Sequence, residues 1–403
     1  VGPTSVQPGD VQVNSLKITS PRGSLDLTKS FVTASVYESL MTPGIMASIT
    51  VNDTDDQIGA LKMVGDEMVE FDFGPPGGTI ASYKFSLNKP ETTKPQGAMK
   101  SKAYVLQCVS EEALHAKANI IQKSYKGKQI SDIVKDIHKN YMKSSKKLEV
   151  EDTKGGQDIL GQNDKPFAFA DMVRRRAVSS DNKSSSYVFF ENRDGFQFVT
   201  IEKLFKGEVI KEFKMENTVG HSINSVTDTN IIGYEVPKTF SASTRIASGG
   251  LGADTATFDY ETNSYKVKQV KPDKMTTGGK GDWNSDAFKA KFGSSPGQRY
   301  IHPYDNRLAQ TYVPETTHNQ VAFAGKLEQN TIKLRVNGDT ALQAGKLIKA
   351  NIPNFVSTTG NNTGESQIEG NFLITRLRHF IAGAGEKPRY TCILECVKGD
   401  PEK

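Results

Sequence analysis

Apolar residues alternate with polar ones over short runs at both ends of the chain, and recur at helical spacing in its middle. Ile45, Ala47, Ile49 and Val51 are separated by Met46, Ser48 and Thr50, the period of two of a half-buried strand. Val69, Phe71 and Phe73 alternate with Glu70 and Asp72. The run Gly74-Pro75-Pro76-Gly77-Gly78 then breaks the chain before Tyr83, Phe85 and Leu87 resume the alternation. Tyr104, Leu106 and Cys108 close this block. After Ser110 the period changes: Ile130, Ile133, Val134, Ile137 and Tyr141 form one stripe of an amphipathic helix, with Ser131 and Asp132 suited to its first turn. A second helix is expected from Phe167 to Ala177, with Phe169, Met172 and Val173 on its apolar face and Arg174 to Arg176 on its polar side. Tyr187 to Glu191 and Phe196 to Ile201 read as a hairpin joined by Asn192-Arg193-Asp194-Gly195, whose Asp-Gly is a strong turn signal.

The last third returns to strands and repeats features of the first. Ile332, Leu334 and Val336 lead into Asn337 as Ile49 and Val51 lead into Asn52. Leu394-Glu395-Cys396-Val397 matches Leu106-Gln107-Cys108-Val109, and Gly345 enters a strand as Gly65 does. Order is kept while spacing is not, which reads as two copies of one antiparallel barrel around an α/β insertion. Chance likeness among short Val- and Leu-rich strands is the competing reading. Residues 241–319 are rich in Gly, Ser, Thr, Lys and Asp, a composition of exposed turns. A small insertion is expected there, with a short helix near Asp286 to Phe292 and Trp283 as its anchor onto a barrel or a neighbouring subunit.

At 403 residues, and roughly 150 residues per domain, the chain has room for about two to four domains. Apolar residues make up 36% and charged residues 24%, an ordinary globular balance. No run approaches the ~18 apolar residues of a membrane-spanning helix. Val1 to Asp10 has neither a basic nor an apolar segment, so no signal peptide is expected, and without an initiator Met the numbering is expected to begin inside the encoded chain. A net charge of +5, from 51 basic against 46 acidic residues, is too small and scattered to name nucleic acid as a partner. Cys108, Cys392 and Cys396 are too few for a disulfide framework and are expected as free thiols. Cys392 and Cys396 share one face of a strand among apolar neighbours, which favours a buried structural pair over a metal site.

Motifs that carry chemistry are not found. Gly250-Leu251-Gly252 lacks the third glycine of a dinucleotide fingerprint, because Thr255 stands there, and Gly279-Lys280 is followed by Gly281 where a phosphate loop needs Ser or Thr. Asp53, Asp55 and Asp56 begin an acidic run, but Ile58 and Val64 occupy the glycine and glutamate positions of a calcium loop. His115, His138, His221, His302, His318 and His379 are dispersed, without the spacing of a metal or nucleophile motif. Glu111 and Glu112 sit side by side at a helix start, where they favour the positive end of its dipole. No catalytic, cofactor-binding or metal-ligating residue is assigned, no cofactor is expected, and the chain is read as not an enzyme.

The run Ile120-Ile121-Gln122-Lys123-Ser124-Tyr125-Lys126-Gly127-Lys128-Gln129-Ile130-Ser131-Asp132-Ile133-Val134 resembles the segment that opens the α/β domain of tailed-phage baseplate hub proteins and late control gene D proteins. Phe167 to Arg176, Ser186 to Glu191 and Asp194 to Phe198 are similar to the helix and hairpin that follow in that family and in type VI secretion spike proteins. Asn337-Gly338-Asp339-Thr340, Gly345 to Ile348, and Gly370 to Ile374 through His379 and Tyr390 are similar to its second barrel, including a His in the closing hairpin. The resemblance implies an α+β, mainly β fold with two tube-like antiparallel β-barrels. The first barrel is expected at 1–112, the α/β domain at 113–205, the second barrel at 206–240 and 320–403, and the insertion at 241–319.

It further implies a homotrimeric baseplate hub without catalysis, a symmetry adaptor that joins a hexameric tail tube to a trimeric central spike. Expected partners are the tail tube or its initiator, a separate spike protein and other baseplate proteins. DNA is expected to pass the lumen without sequence-specific binding, in a virion tail baseplate assembled in the host cytoplasm, and a contractile tail is favoured. The alternatives are a hub of a type VI secretion-like injection machine and a hub with associated cell-wall hydrolase activity.

Overall fold

The structure is a computed structural model that describes residues 7–54, 57–92, 102–181, 184–215, 228–238, 241–247, 253–259, 262–270, 290–292, 298–304, 331–352, 368–383 and 388–398. It is mainly β. The first block of strands is β1 (Gln12–Ser20), β2 (Gly23–Asp26), β3 (Phe31–Ser39), β4 (Met46–Asp53), β5 (Met68–Gly74), β6 (Ala81–Thr92) and β7 (Lys102–Val109). The middle holds β8 (Ser124–Lys128), β9 (Leu148–Val150), β10 (Gln157–Leu160), β11 (Tyr187–Asn192) and β12 (Gly195–Thr200). After it come β13 (Val209–Lys214), β14 (Ile231–Lys238), β15 (Ala253–Asp259), β16 (Ser264–Val270), β17 (Gln298–Tyr304), β18 (Thr331–Asn337), β19 (Leu347–Ile352), β20 (Ile368–Ala382) and β21 (Arg389–Lys398).

The alternation in the sequence sets the buried face of each strand. In β4 the buried residues are Ala47, Ile49, Val51 and Asp53; in β5 they include Val69, Phe71 and Phe73; in β21 they include Tyr390, Cys392, Leu394 and Cys396. The two blocks were expected as separate barrels, yet their strands form one sheet of thirteen. Its path runs β14-β18-β21-β20-β3-β4-β7-β6-β5-β1-β2, with β13 and β19 attached beside β20, and it does not close among the described residues. One apolar core holds side chains of both blocks: the Phe73 ring lies 5.4 Å from that of Tyr390 and 6.1 Å from that of His379.

The repeat read from the sequence is a repeat of topology and register, which excludes a chance likeness. The order β3-β4-β7-β6-β5 recurs as β14-β18-β21-β20-β19. Ile49 faces Leu106 where Leu334 faces Leu394, and Ala47 faces Cys108 where Ile332 faces Cys396. Both copies break register between Leu87 and Lys89 against β7 and between Ile374 and Arg376 against β21, and again between Phe31 and Thr33 against β4 and between Ile231 and Gly233 against β18, while β14 has one further shift between Glu235 and Lys238. At the first of these bulges Leu87 N–H donates to the Glu67 carbonyl at 2.9 Å, and Ile374 N–H to the Lys346 carbonyl at 3.0 Å. The pairing of Gly65 with Gly345 is one residue out, since register equates Val69 with Ile348 and so Gly65 with Ala344.

The expected middle helices form at Ile130–Asp136, continued by a wider π turn at Ile137–Tyr141, and at Pro166–Arg174, which stops three residues short of the expected Ala177. Ile130, Ile133, Val134 and Ile137 pack with Phe169 and Val173 in a second core. The hairpin β11–β12 turns at Arg193-Asp194, and Gly195, at φ +126°, holds the conformation the turn needs. The region expected as a turn-rich insertion carries a three-stranded sheet in the order β16-β15-β17, which its polar sequence did not signal. Of the expected helix at 286–292 only residues 290–292 are described, and they are helical. Gly250 to Gly252, Gly279 to Gly281, Asp55, Asp56, His221, Trp283 and His318 lie outside the described residues.

Candidate functional site

The functional geometry is a junction at which both strand blocks and the middle domain meet. β20 builds it by serving two neighbours on one edge. Its first half, from Ile368 to Leu373, pairs with β19, and its second half, from Arg376 to Ala382, pairs with β3 of the first block. Arg378 secures this joint, donating from Nε and Nη2 to the Ser35 hydroxyl at 3.1 and 2.9 Å while its guanidinium lies over the rings of Tyr37 and Phe380.

Beneath the joint lies Glu38, almost wholly buried on β3. It accepts the Ala344 N–H at 2.9 Å and the Tyr83 hydroxyl at 3.3 Å, which ties β3 to β6 and to the loop before β19. Burial raises its carboxyl to about 7, against the pull of those donors and of Arg193.

Beside it, His379 Nδ1 lies 2.6 Å from the Tyr390 hydroxyl and 3.4 Å from Cys392 Sγ. His379 Nε2 has no hydrogen-bond partner among the described residues. A Cys–His contact of this kind invites comparison with a nucleophile and its base, but the electrostatics run the other way. Burial lowers the His379 imidazole to about 3 and raises the Cys392 thiol to about 12, so both stay neutral and the thiolate that would react is disfavoured. The trio acts as a packed polar insert in an aromatic core.

The hairpin β11–β12 mounts the middle domain on this junction. Both of its faces are buried: Tyr187, Phe189, Phe196 and Phe198 enter the middle-domain core, while Val188, Phe190 and Val199, with Ile201 just beyond β12, pack with Leu347, Leu373 and Val397 of the second block. Its turn grips the 339–346 loop. Asn192 donates to the Ala344 carbonyl at 3.1 Å, Arg193 to the Thr340 carbonyl at 2.5 Å, and Gln343 to Asp194 at 3.0 Å. Towards the first block, Glu191 accepts the Ile45 N–H at 3.1 Å and Lys146 Nζ at 2.6 Å, and Lys146 also reaches Glu112 at 2.7 Å. Burial works against the Lys146 charge, but the Glu191 and Glu112 carboxylates outweigh it and hold its ammonium above the usual range.

Sequence reading assigned no site residue, and it missed Glu38, Arg193 and Arg378, which gain their meaning from partners more than a hundred residues away. Cys392 and Cys396 share the buried face expected of them, and Cys108 is buried as well; all three are free thiols. Glu112 stands in the first turn of the helix Glu111–Ala118, as expected, with Lys146 as an added partner. Among the described residues no group of three or more His, Cys, Asp or Glu side chains is placed to hold a metal ion.

No known family profile matches the chain, and no curated protein does. Solved structures do share its fold. The 43 kDa tail protein of prophage MuSo2 from Shewanella oneidensis superposes with a TM-score of 0.59 at 9% identity, over 96% of this chain and 99% of that one. The tail protein from Neisseria meningitidis MC58 gives 0.58 at 9% identity, over 95% and 96%. The architecture is therefore that of these tail proteins, shared over nearly the full length of each chain.

Proposed function

We propose that the chain is a structural baseplate hub of a phage tail: a homotrimer that joins a hexameric tail tube to a trimeric central spike and surrounds part of the genome-delivery channel. The observation that carries this reading is the internal repeat. A chain with two copies of one strand unit, alike in order, register and bulge, offers two like faces, and three such chains offer six to a sixfold partner while keeping threefold symmetry for another. In this reading each block is one tube-like barrel unit. Lys214 bridges to Asn230, next to the start of β14, and so draws the two ends of the second block together. The fold shared with two tail proteins supports the same assignment to a virion tail.

The reading gives the chain no catalysis. Its partners are the tube or tube initiator, a spike and other baseplate proteins, and DNA passes the lumen without sequence reading. Light scattering of the purified protein over a range of concentrations tests it. A mass of three times 44.1 kDa, with a ring and central channel in electron micrographs, is the expected result. A monomer at every concentration, unchanged by tube or spike candidates, refutes the hub.

A further inference from the structure

The joint between β3 and β20 links copy one to copy two of the repeat within a chain, and each strand has a counterpart in the other copy. β14 is the counterpart of β3: Ala34 faces Ile49 as Tyr234 faces Leu334, and Ser35 faces Ser48 as Glu235 faces Lys333. β6 is the counterpart of β20: the shared bulge equates Lys89 with Arg376, and counting on equates Thr92 with His379. In β20 the edge beyond β19 is covered by β3. In β6 the same edge beyond β5 has no strand beside it among the described residues, and β14 ends the sheet.

Burial marks the difference. Leu377 and His379 are buried in the joint, whereas their counterparts Pro90 and Thr92 are exposed. Val36 is wholly buried, whereas Val236 is 40% exposed. Pro90 on β6 and Pro237 on β14 discourage indiscriminate strand addition, so these edges call for a particular partner.

We propose that β14 of one chain pairs antiparallel with the outer edge of β6 in a second copy of the same chain, reproducing between chains the joint that β3 and β20 make within one. The inference rests on the ring reading above and adds its interface. Register follows from the repeat: His379 faces Val36, so Thr92 faces Val236 of the neighbour, the residue that follows the matched pair Glu235 and Lys333 and with which β14 enters a shift of register against β18. The contact is head-to-tail, with different edges used on each chain, and every joint around the ring is then of one kind.

Directly opposed residues in an antiparallel pair have Cα atoms about 4.5–5.5 Å apart, within disulfide reach. The full chain carrying Thr92→Cys and Val236→Cys is expected to form covalent multimers under mild oxidation, read on a non-reducing gel. The three native cysteines are buried and the single variants are expected to stay uncrosslinked. Thr92→Cys with Ile232→Cys, four residues out of register, is expected to crosslink at least tenfold less. Val236→Glu, at an exposed position, is expected to raise the dissociation concentration at least tenfold. Multimers from Thr92→Cys alone would mean that β6 meets β6, and would overturn the head-to-tail joint. An oligomer in solution without crosslinking of the paired variant overturns this interface and leaves the ring reading standing. A wild-type monomer at all concentrations, without crosslinks, overturns both.

Discussion

Glu38 and His379 share one buried junction and bend the stability curve in opposite directions with pH. The folded state favours the protonated Glu38 carboxyl, raised from 4.5 to about 7 by burial, so its contribution is full below pH 4.5 and is lost as pH rises through about 7. At roughly 1.4 kcal/mol per unit of pKa, the loss is about 3 kcal/mol. For His379 the fold favours the neutral ring, so its contribution is present above 6.5 and declines as pH falls towards about 3. Glu38→Gln is expected to remove the decline between pH 4.5 and 7, measured as the denaturant midpoint across that range. An unchanged slope would show that Glu38 is ionised in the fold.

Gly338 is the second point at which one residue decides packing. A Cβ built there would stand 1.9 Å from Cγ of Tyr390, whose hydroxyl meets His379. Gly338→Ala is expected to cost about 1–3 kcal/mol, read as a lowered Tm. At this scale little was legible in the sequence. The even spacing of Cys392 and Cys396 shows that they share a face, but the strand that lies alongside is set by pairing, and only the register of β20 on β21 puts His379 opposite Cys392.

Among elements, the hairpin β11–β12 was legible as a hairpin, and its unusual role was written in a broken pattern. Val188-Phe189-Phe190 is three apolar residues in a row where a half-buried strand would alternate. The structure gives each face its own core. Phe190→Ala is expected to cost about 3–5 kcal/mol, with faster amide exchange in β19 and β20, whereas Phe189→Ala is expected to cost about as much but to loosen the helix Pro166–Arg174. Exchange rates measured by mass spectrometry distinguish the two, and equal effects on both cores would refute the separation. Strands β4 to β7, β18 and β21 declared themselves by alternation, whereas β13 and β14 did not. Val209 and Ile210 are adjacent and partly exposed, and β14 carries Gly233 and Pro237, residue types depleted in strands.

For the molecule as a whole, the repeat was legible through end motifs such as Val51-Asn52 and Val336-Asn337, while the fusion of both copies into one sheet was not. Two separate strand blocks and two blocks joined in one thirteen-stranded sheet use the same strands and alternations. They differ only in the β3–β20 pairing, between residues about 340 apart in sequence. Such a contact leaves no local signal, because its partners are chosen by edge geometry and by the burial of Val36, Leu377 and Ile381.

That pairing also sets a timetable. β3 is complete long before the strand that covers its edge, since about 340 residues of chain separate the paired positions. While those residues are being made the first block carries an open edge beside buried-type residues, and the β20 that reaches it first need not be its own. A neighbouring chain's β20 would fit with the same register, so an exchanged, interlocked product competes with correct closure whenever nascent chains are crowded.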